Sequence, residues 1–81
     1  MQKRLGFIGI TLADRKKSAS AVNGILSEYG ETIVARMGFP YRDRKCSVIT
    51  LVIDATTDQI GALCGKLGGL PGVTVKSACT Q

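Results

Sequence analysis

The side chains with the most chemical capacity in this chain are its cations. Arg15-Lys16-Lys17 follow Asp14, where the first helix should begin. Positive charge in a first helical turn opposes the helix dipole, yet beside free backbone N–H groups such a turn can hold an anion. The plainer reading is a solvated basic turn. Arg36 lies on a strand between Ala35 and Met37, and Tyr41-Arg42 sits at the turn that follows. A guanidinium there can reach a carboxylate, on a ligand or across a subunit boundary. Alternatively, it is an edge-strand charge that discourages aggregation. Asn23 borders the apolar stripe of the first helix, where a polar group requires a partner in the backbone or a ligand. Asp14, Arg15, Asn23, Arg36, Tyr41 and Arg42 are therefore the candidate ligand-binding residues, suited to a small anion.

Catalytic chemistry finds less to work with. The chain has no histidine and its 6 carboxylates show no pairing in sequence. No nucleophile has an evident activator, so the reading is not an enzyme. The 3 cysteines (Cys46, Cys64, Cys79) are odd in number, widely spaced and free of any Cys-x-x-Cys pair. Neither a disulfide framework nor a zinc set follows, and no metal or cofactor is expected. The thiols read as small hydrophobes, with Cys64 on a buried helical stripe. Gly65-Lys66 fails as a phosphate loop: only Ala62-Leu63-Cys64 separate Gly61 from Gly65, and Leu67 stands where Ser or Thr is needed. Gly61, Gly65, Gly68, Gly69 and Gly72 read instead as small residues for close packing of helix on sheet.

Elements to position these residues are legible along the chain. With 81 residues there is room for one domain, spanning 1–81. Arg4 to Leu12 reads as a strand rich in β-branched and aromatic residues. Asp14 caps a helix to about Tyr29, with Ala19, Val22, Leu26 and Tyr29 at helical spacing and Gly30 as its stop. Thr32 to Phe39 is a second strand with Ile33, Ala35, Met37 and Phe39 on one face. Residues 40–44 form a polar turn, and Cys46 to Asp54 is a third, strongly apolar strand. Thr56 and Gln59 have the spacing of a capping box and open a second helix that carries Ile60, Leu63, Cys64 and Leu67 on one stripe. Gly68-Gly69 ends it, and Pro71-Gly72 turns into a last strand, Val73 to Cys79.

The order β-α-β-β-α-β implies an α+β fold, a ferredoxin-like sandwich. Its four-stranded antiparallel sheet carries two helices on one face. On the central third strand Val48, Thr50 and Val52 point one way and Ile49, Leu51 and Ile53 the other. On the first, Leu5 and Phe7 oppose Ile8, Ile10 and Leu12. Helices cover only one of these apolar faces. If the other offered ~600 Å², covering it would be worth about 15 kcal/mol at ~25 cal/mol per Å². The lost freedom of association opposes this by roughly 4–15 kcal/mol. A homo-oligomer formed through the sheet face, dimer or tetramer, is the expectation.

Several segments also match a known pattern. Asp14-Arg15, Val22-Asn23-x-Ile25-Leu26 and Arg36-Met37-Gly38-Phe39-Pro40-Tyr41-Arg42 are three of them. Gly61-Ala62-Leu63-x-Gly65-Lys66-Leu67-Gly68 and Pro71-Gly72-Val73-x-Val75-Lys76-Ser77 complete the set. Together, over nearly the whole chain, the sequence resembles the small bacterial proteins described as regulators of the iron-only hydrogenase system. That family is similar in fold to ACT domains and to the C-terminal domain of the nickel-responsive repressor. The resemblance implies a ferredoxin-like, ACT-like regulatory fold that assembles through its sheets, with a role in hydrogenase expression or maturation. In ACT domains a glycine commonly follows the Asp-Arg-like start; Lys17 stands there in this chain. The repressor's nickel ligands include histidines, so nickel binding is not carried over, and a DNA-binding segment is missing.

The functional expectation is an oligomeric regulatory module that responds to a small anionic ligand or a protein partner. The alternative is a nucleic-acid-binding domain. Residues 1–45 hold nine Lys/Arg against four Asp/Glu, whereas residues 46–81 hold two of each. RNA-recognition domains of this topology stack bases on central-strand aromatics. The third strand has none and the first only Phe7, so nucleic acid is not the favoured partner. No run approaches the ~18 apolar residues of a membrane span. No cleavable leader pattern opens the chain, which reads as soluble and cytoplasmic.

Overall fold

The computed structural model describes residues 2–80. Its elements are β1 (Arg4–Leu12), α1 (Arg15–Glu28), β2 (Ile33–Tyr41), β3 (Cys46–Ala55), α2 (Thr57–Gly68) and β4 (Val73–Cys79), with single 3-10 turns at Gly30–Thr32 and Arg42–Arg44. The strands form one four-stranded antiparallel sheet in the order β2-β3-β1-β4, the ferredoxin-like α+β arrangement. Among the described residues no helix is long and apolar enough to cross a membrane.

Alternation along the central strands separates the two faces of the sheet. Ile8, Ile10 and Leu12 of β1 and Leu51, Ile53 and Ala55 of β3 are buried. They meet Val22 and Leu26 of α1 and Ile60, Leu63 and Leu67 of α2 to form the core. The helical spacing of these apolar residues is what puts them on one stripe of each helix. Cys64 and Tyr29, on the expected stripes, are half-buried at its margin. The opposite face carries Leu5 and Phe7, each more than two-fifths exposed.

Local signals start and stop the helices. The Asp14 carboxylate accepts hydrogen bonds from the backbone N–H groups of Lys16 (3.1 Å) and Lys17 (3.4 Å). This satisfies two donors that have no partner inside the helix and supplies the negative charge the basic first turn lacks. At α2 the capping box is complete: Gln59 N–H donates to Thr56 Oγ1 (3.2 Å) and Thr56 N–H donates to Gln59 Oε1 (2.9 Å). The turn into β4 takes Gly72 to φ +74°, and its carbonyl accepts from Ala13 N–H at 2.8 Å. Ser18, the one buried polar residue among those described, donates from Oγ to the Pro71 carbonyl at 3.1 Å. These bonds tie the start of α1 to the start of β4.

Lys66 joins the helix surfaces, donating to Glu28 Oε2 at 3.0 Å and lying 5.3 Å from the Tyr29 ring centroid. The hydrogen bond that Lys66 donates to Glu28, then the charge of that carboxylate, raise the Lys66 pKa above its usual 10.5. A folded-state pKa raised in this way stabilises below pH 10.5, and the effect is lost as pH rises through the folded value. With both side chains about half exposed, solvent and salt screen the pair.

Three sequence expectations change in the structure. The register of β2 on β3 shifts between Ile33, opposite Ile53, and Ala35, opposite Val52. This β-bulge leaves Val34 unpaired and moves Ile33 to the helix side, while Ala35, Met37 and Phe39 point to the open side. The strand also continues through Pro40 to Tyr41, which the expected turn at 40–44 excluded. Pro40 is tolerated because β2 is an edge strand and need not donate outward. The glycines of α2 do not mediate helix–sheet packing either. A Cβ built at Gly61, Gly65 or Gly68 meets nothing within 4 Å, because all three face away from the sheet. Close approach occurs at Gly6 of β1, where a Cβ would stand 3.5 Å from Ile60 Cδ1.

Two substitutions rank these contributions. Leu51→Ala, at a fully buried central-strand site, is expected to cost about 2–5 kcal/mol. Thr56→Ala, which removes the capping box, should cost about 1 kcal/mol. Urea unfolding at one fixed protein concentration measures both, and a larger loss for Thr56→Ala would contradict the packing described.

Candidate functional site

The helices pack chiefly on β1 and β4, and β2 makes its main contacts with β3 alone. The helix side of β2 is left uncovered, and a cleft of about 200 Å³ opens there between α1 and the sheet. Two periodicities build its walls. Arg15, Ala19 and Asn23 recur every four residues along one side of α1. Arg36, Gly38 and Pro40 recur every two along β2, on the face that the bulge turns toward the helices. Leu12 and Ile49 form an apolar floor. Ala19, expected on the core stripe, therefore faces the cleft and is only half-buried. Glycine at 38 keeps the floor open, because a Cβ there would already contact Ile49 Cγ1 at 3.6 Å.

Arg36 is held across this cleft. Its Nη2 donates to Asn23 Oδ1 at 3.0 Å, joining the middle of α1 to β2. The partner of Asn23 is thus a side chain rather than the backbone. A second, shallower cleft of about 190 Å³ adjoins the first and shares Arg15 and Ser47 with it. Its other lining residues are Tyr41, Arg42, Lys45 and Cys46. The 3-10 turn at Arg42–Arg44 shapes it, closed by Lys45 in the left-handed region (φ 52°) with its N–H donating to the Arg42 carbonyl at 3.1 Å.

The electrostatics of the two clefts are one-sided. Arg15, Arg36, Arg42 and Lys45 line them and no carboxylate does. Among the described residues the one ion pair is Lys66–Glu28, remote from this site. Arg36 has a neutral partner, and Asp14, the nearest acid in sequence to Arg15, is occupied by backbone N–H groups. Of the candidate residues, Arg15, Asn23 and Arg36 gather in one cleft, and Arg15, Tyr41 and Arg42 in the next. Asp14 serves as a helix cap beside them. Lys45 and Ser47 were missed by sequence reasoning. The basic density of Arg42-Asp43-Arg44-Lys45 was their only signal.

The open sheet face is a different kind of surface. Phe7 and Leu5 of β1 and Met37, Phe39 and Tyr41 of β2 are all between 42% and 61% exposed. Phe39 and Tyr41 pack edge to face, with centroids 6.3 Å apart. The face is unequal: β4 contributes Thr74, Lys76 and Ala78, so its apolar part lies over β2, β3 and β1. No cluster of three or more His, Cys, Asp or Glu side chains occurs among the described residues, and Cys46, Cys64 and Cys79 are free thiols.

The Arg36–Asn23 contact is exposed, so its worth is modest. A double-mutant cycle of Arg36→Ala with Asn23→Ala should give a coupling of about 0.5–1.5 kcal/mol in unfolding experiments. A coupling of zero would mean that this bond does not hold Arg36 in the cleft.

Comparison with known proteins places this architecture among relatives. Residues 4–77 match the family model described as "TM1266-like: Iron-only hydrogenase system regulator, putative". Among solved structures, the uncharacterized protein TM1266 from Thermotoga maritima is 39% identical, with a TM-score of 0.93. The match covers 99% of this chain and 100% of that one. No curated protein matches.

Proposed function

Because the chain belongs to the TM1266-like family of iron-only hydrogenase system regulators, we propose that it regulates by binding and self-association, without catalysis, in the cytoplasm. The observation that carries this reading is the open sheet face. Five large apolar side chains, Leu5, Phe7, Met37, Phe39 and Tyr41, stand on it at 42–61% exposure. A contiguous apolar surface of this kind marks an interaction site in a soluble protein. A second copy is the natural cover, since a domain of 81 residues gains much of its missing burial from a partner subunit. The sheet's polar β4 edge, with Lys76, forms a rim suited to solvent.

Regulation without catalysis is supported by the residue inventory. The chain has no histidine, and no clustered acids or thiols occur among the described residues. A module of this type acts by changing its affinity for a partner when a ligand or a second subunit binds. Nothing in the comparisons favours the nucleic-acid alternative, and β3 offers no aromatic residue for base stacking.

Light scattering on the purified protein tests assembly first. The expected mass is at least twice the 8.6 kDa of one chain, and Met37→Asp should shift the equilibrium toward single chains. A particle of one-chain mass at micromolar concentration would refute self-association. Deleting the gene in its native host tests regulation, with hydrogenase transcript and maturation as readouts. Unchanged levels of both would remove the regulatory role.

A further inference from the structure

We propose that the two adjoining clefts form one groove for a small organic dianion, with an anionic group held at each end. This deepens the regulatory reading and rests on it, by assigning the class of ligand to which the module responds. Arg36 marks one end and Arg42 with Lys45 the other, while Arg15 and Ser47 belong to both clefts and join them. Between the ends lie Leu12 and Ile49, an apolar floor for a short carbon skeleton. Arg36 and Pro40 bracket the first cleft along β2, and four residues of strand span about 13 Å. The groove is therefore elongated, and one compact anion would leave an end unoccupied.

Charge points the same way. Four cations and no acid line the groove, and neither Asp14 nor Asp43 beside it forms an ion pair among the described residues. Gathering like charges without a counter-charge raises the local potential and favours an anion from solution. Planar guanidinium groups suit carboxylate or phosphate, and the Ser47 hydroxyl can both donate and accept. Asn23 fixes Arg36 from outside the ligand, so its side chain is already oriented before binding. The volumes, about 200 and 190 Å³, fit a compound of a few carbons rather than a nucleotide or a polymer.

Titration calorimetry of the full chain with succinate, 3-phosphoglycerate, inorganic phosphate and acetate tests the proposal. Succinate or 3-phosphoglycerate should bind at least tenfold more tightly than acetate, and which of the two is preferred tells a carboxylate end from a phosphate end. Arg36→Gln and Lys45→Asn should each lower dianion affinity tenfold or more, reducing it toward that of acetate. Asparagine is chosen at 45 because it tolerates the left-handed backbone there. Circular dichroism checks that both variants are folded. Binding of acetate or inorganic phosphate as tight as that of succinate and 3-phosphoglycerate, no binding of either two-ended compound, or its displacement only by a single-stranded oligonucleotide would overturn the proposal. Repeating the titration on Met37→Asp separates the two readings. Dianion binding by a single-chain particle upholds the groove while self-association fails, and an oligomer that binds no dianion has the opposite meaning.

Discussion

Four strands are too many for two helices to roof, and both surfaces of interest follow from that shortfall. α1 and α2 settle over β1 and β4, where their apolar stripes close the core on Ile8, Ile10 and Leu12. β2, at the edge, keeps eight of its nine residues exposed after the half-buried Ile33. One side of this strand looks into the space beside α1, and the other joins the open face. An uncovered edge strand is usually a hazard, since it offers a template for aggregation. Here a bulge, a proline and an arginine occupy it, each a device that discourages uncontrolled pairing.

The two surfaces differ in character because strand geometry sorts residues by parity. Arg36, Gly38 and Pro40 form a polar, open-floored wall, whereas Met37, Phe39 and Tyr41 form an apolar one. They are interleaved along six consecutive residues of a single strand. Any displacement of β2 is therefore felt on both sides of the sheet. A rigid central pair, β1 with β3, gives that edge a fixed reference, since Leu51 and Ile53 are wholly buried. The proposed ligand groove and the proposed assembly face thus have a common physical element without a long path between them.

Much of the fold was legible because local and global signals agree. The caps at Asp14 and Thr56, the stops at Gly30 and Gly68-Gly69, and the period-two pattern of β3 all point to one topology. The bulge at Val34 was not legible. Ile33, Ala35, Met37 and Phe39 make an unbroken alternation, and nothing local to Val34 marks the extra residue. Pro40 misled in the other direction, since its exclusion from a strand holds only where an outward N–H is needed. The site was legible as a set of cations but not as a groove. Arg15 and Arg36 are distant in sequence, and their meeting depends on a spacing of four on α1 facing a spacing of two on β2. Lys45 and Ser47 enter through the fold of a turn whose left-handed close at a lysine has no sequence signature.

The unpaired residue at Val34 works as a parity switch for everything downstream of it. The same chain paired from Ile33 onward without the bulge would place Ala35 opposite Leu51 and Arg36 opposite Thr50, rotating the rest of β2 by half a turn about its axis. Arg36 would then emerge among the aromatic side chains, and Met37 and Phe39 would point at α1. One residue held out of the ladder decides which of these side chains join the charged wall and which the greasy face, so the register kept at this bend matters more than the identity of the amino acid that fills it.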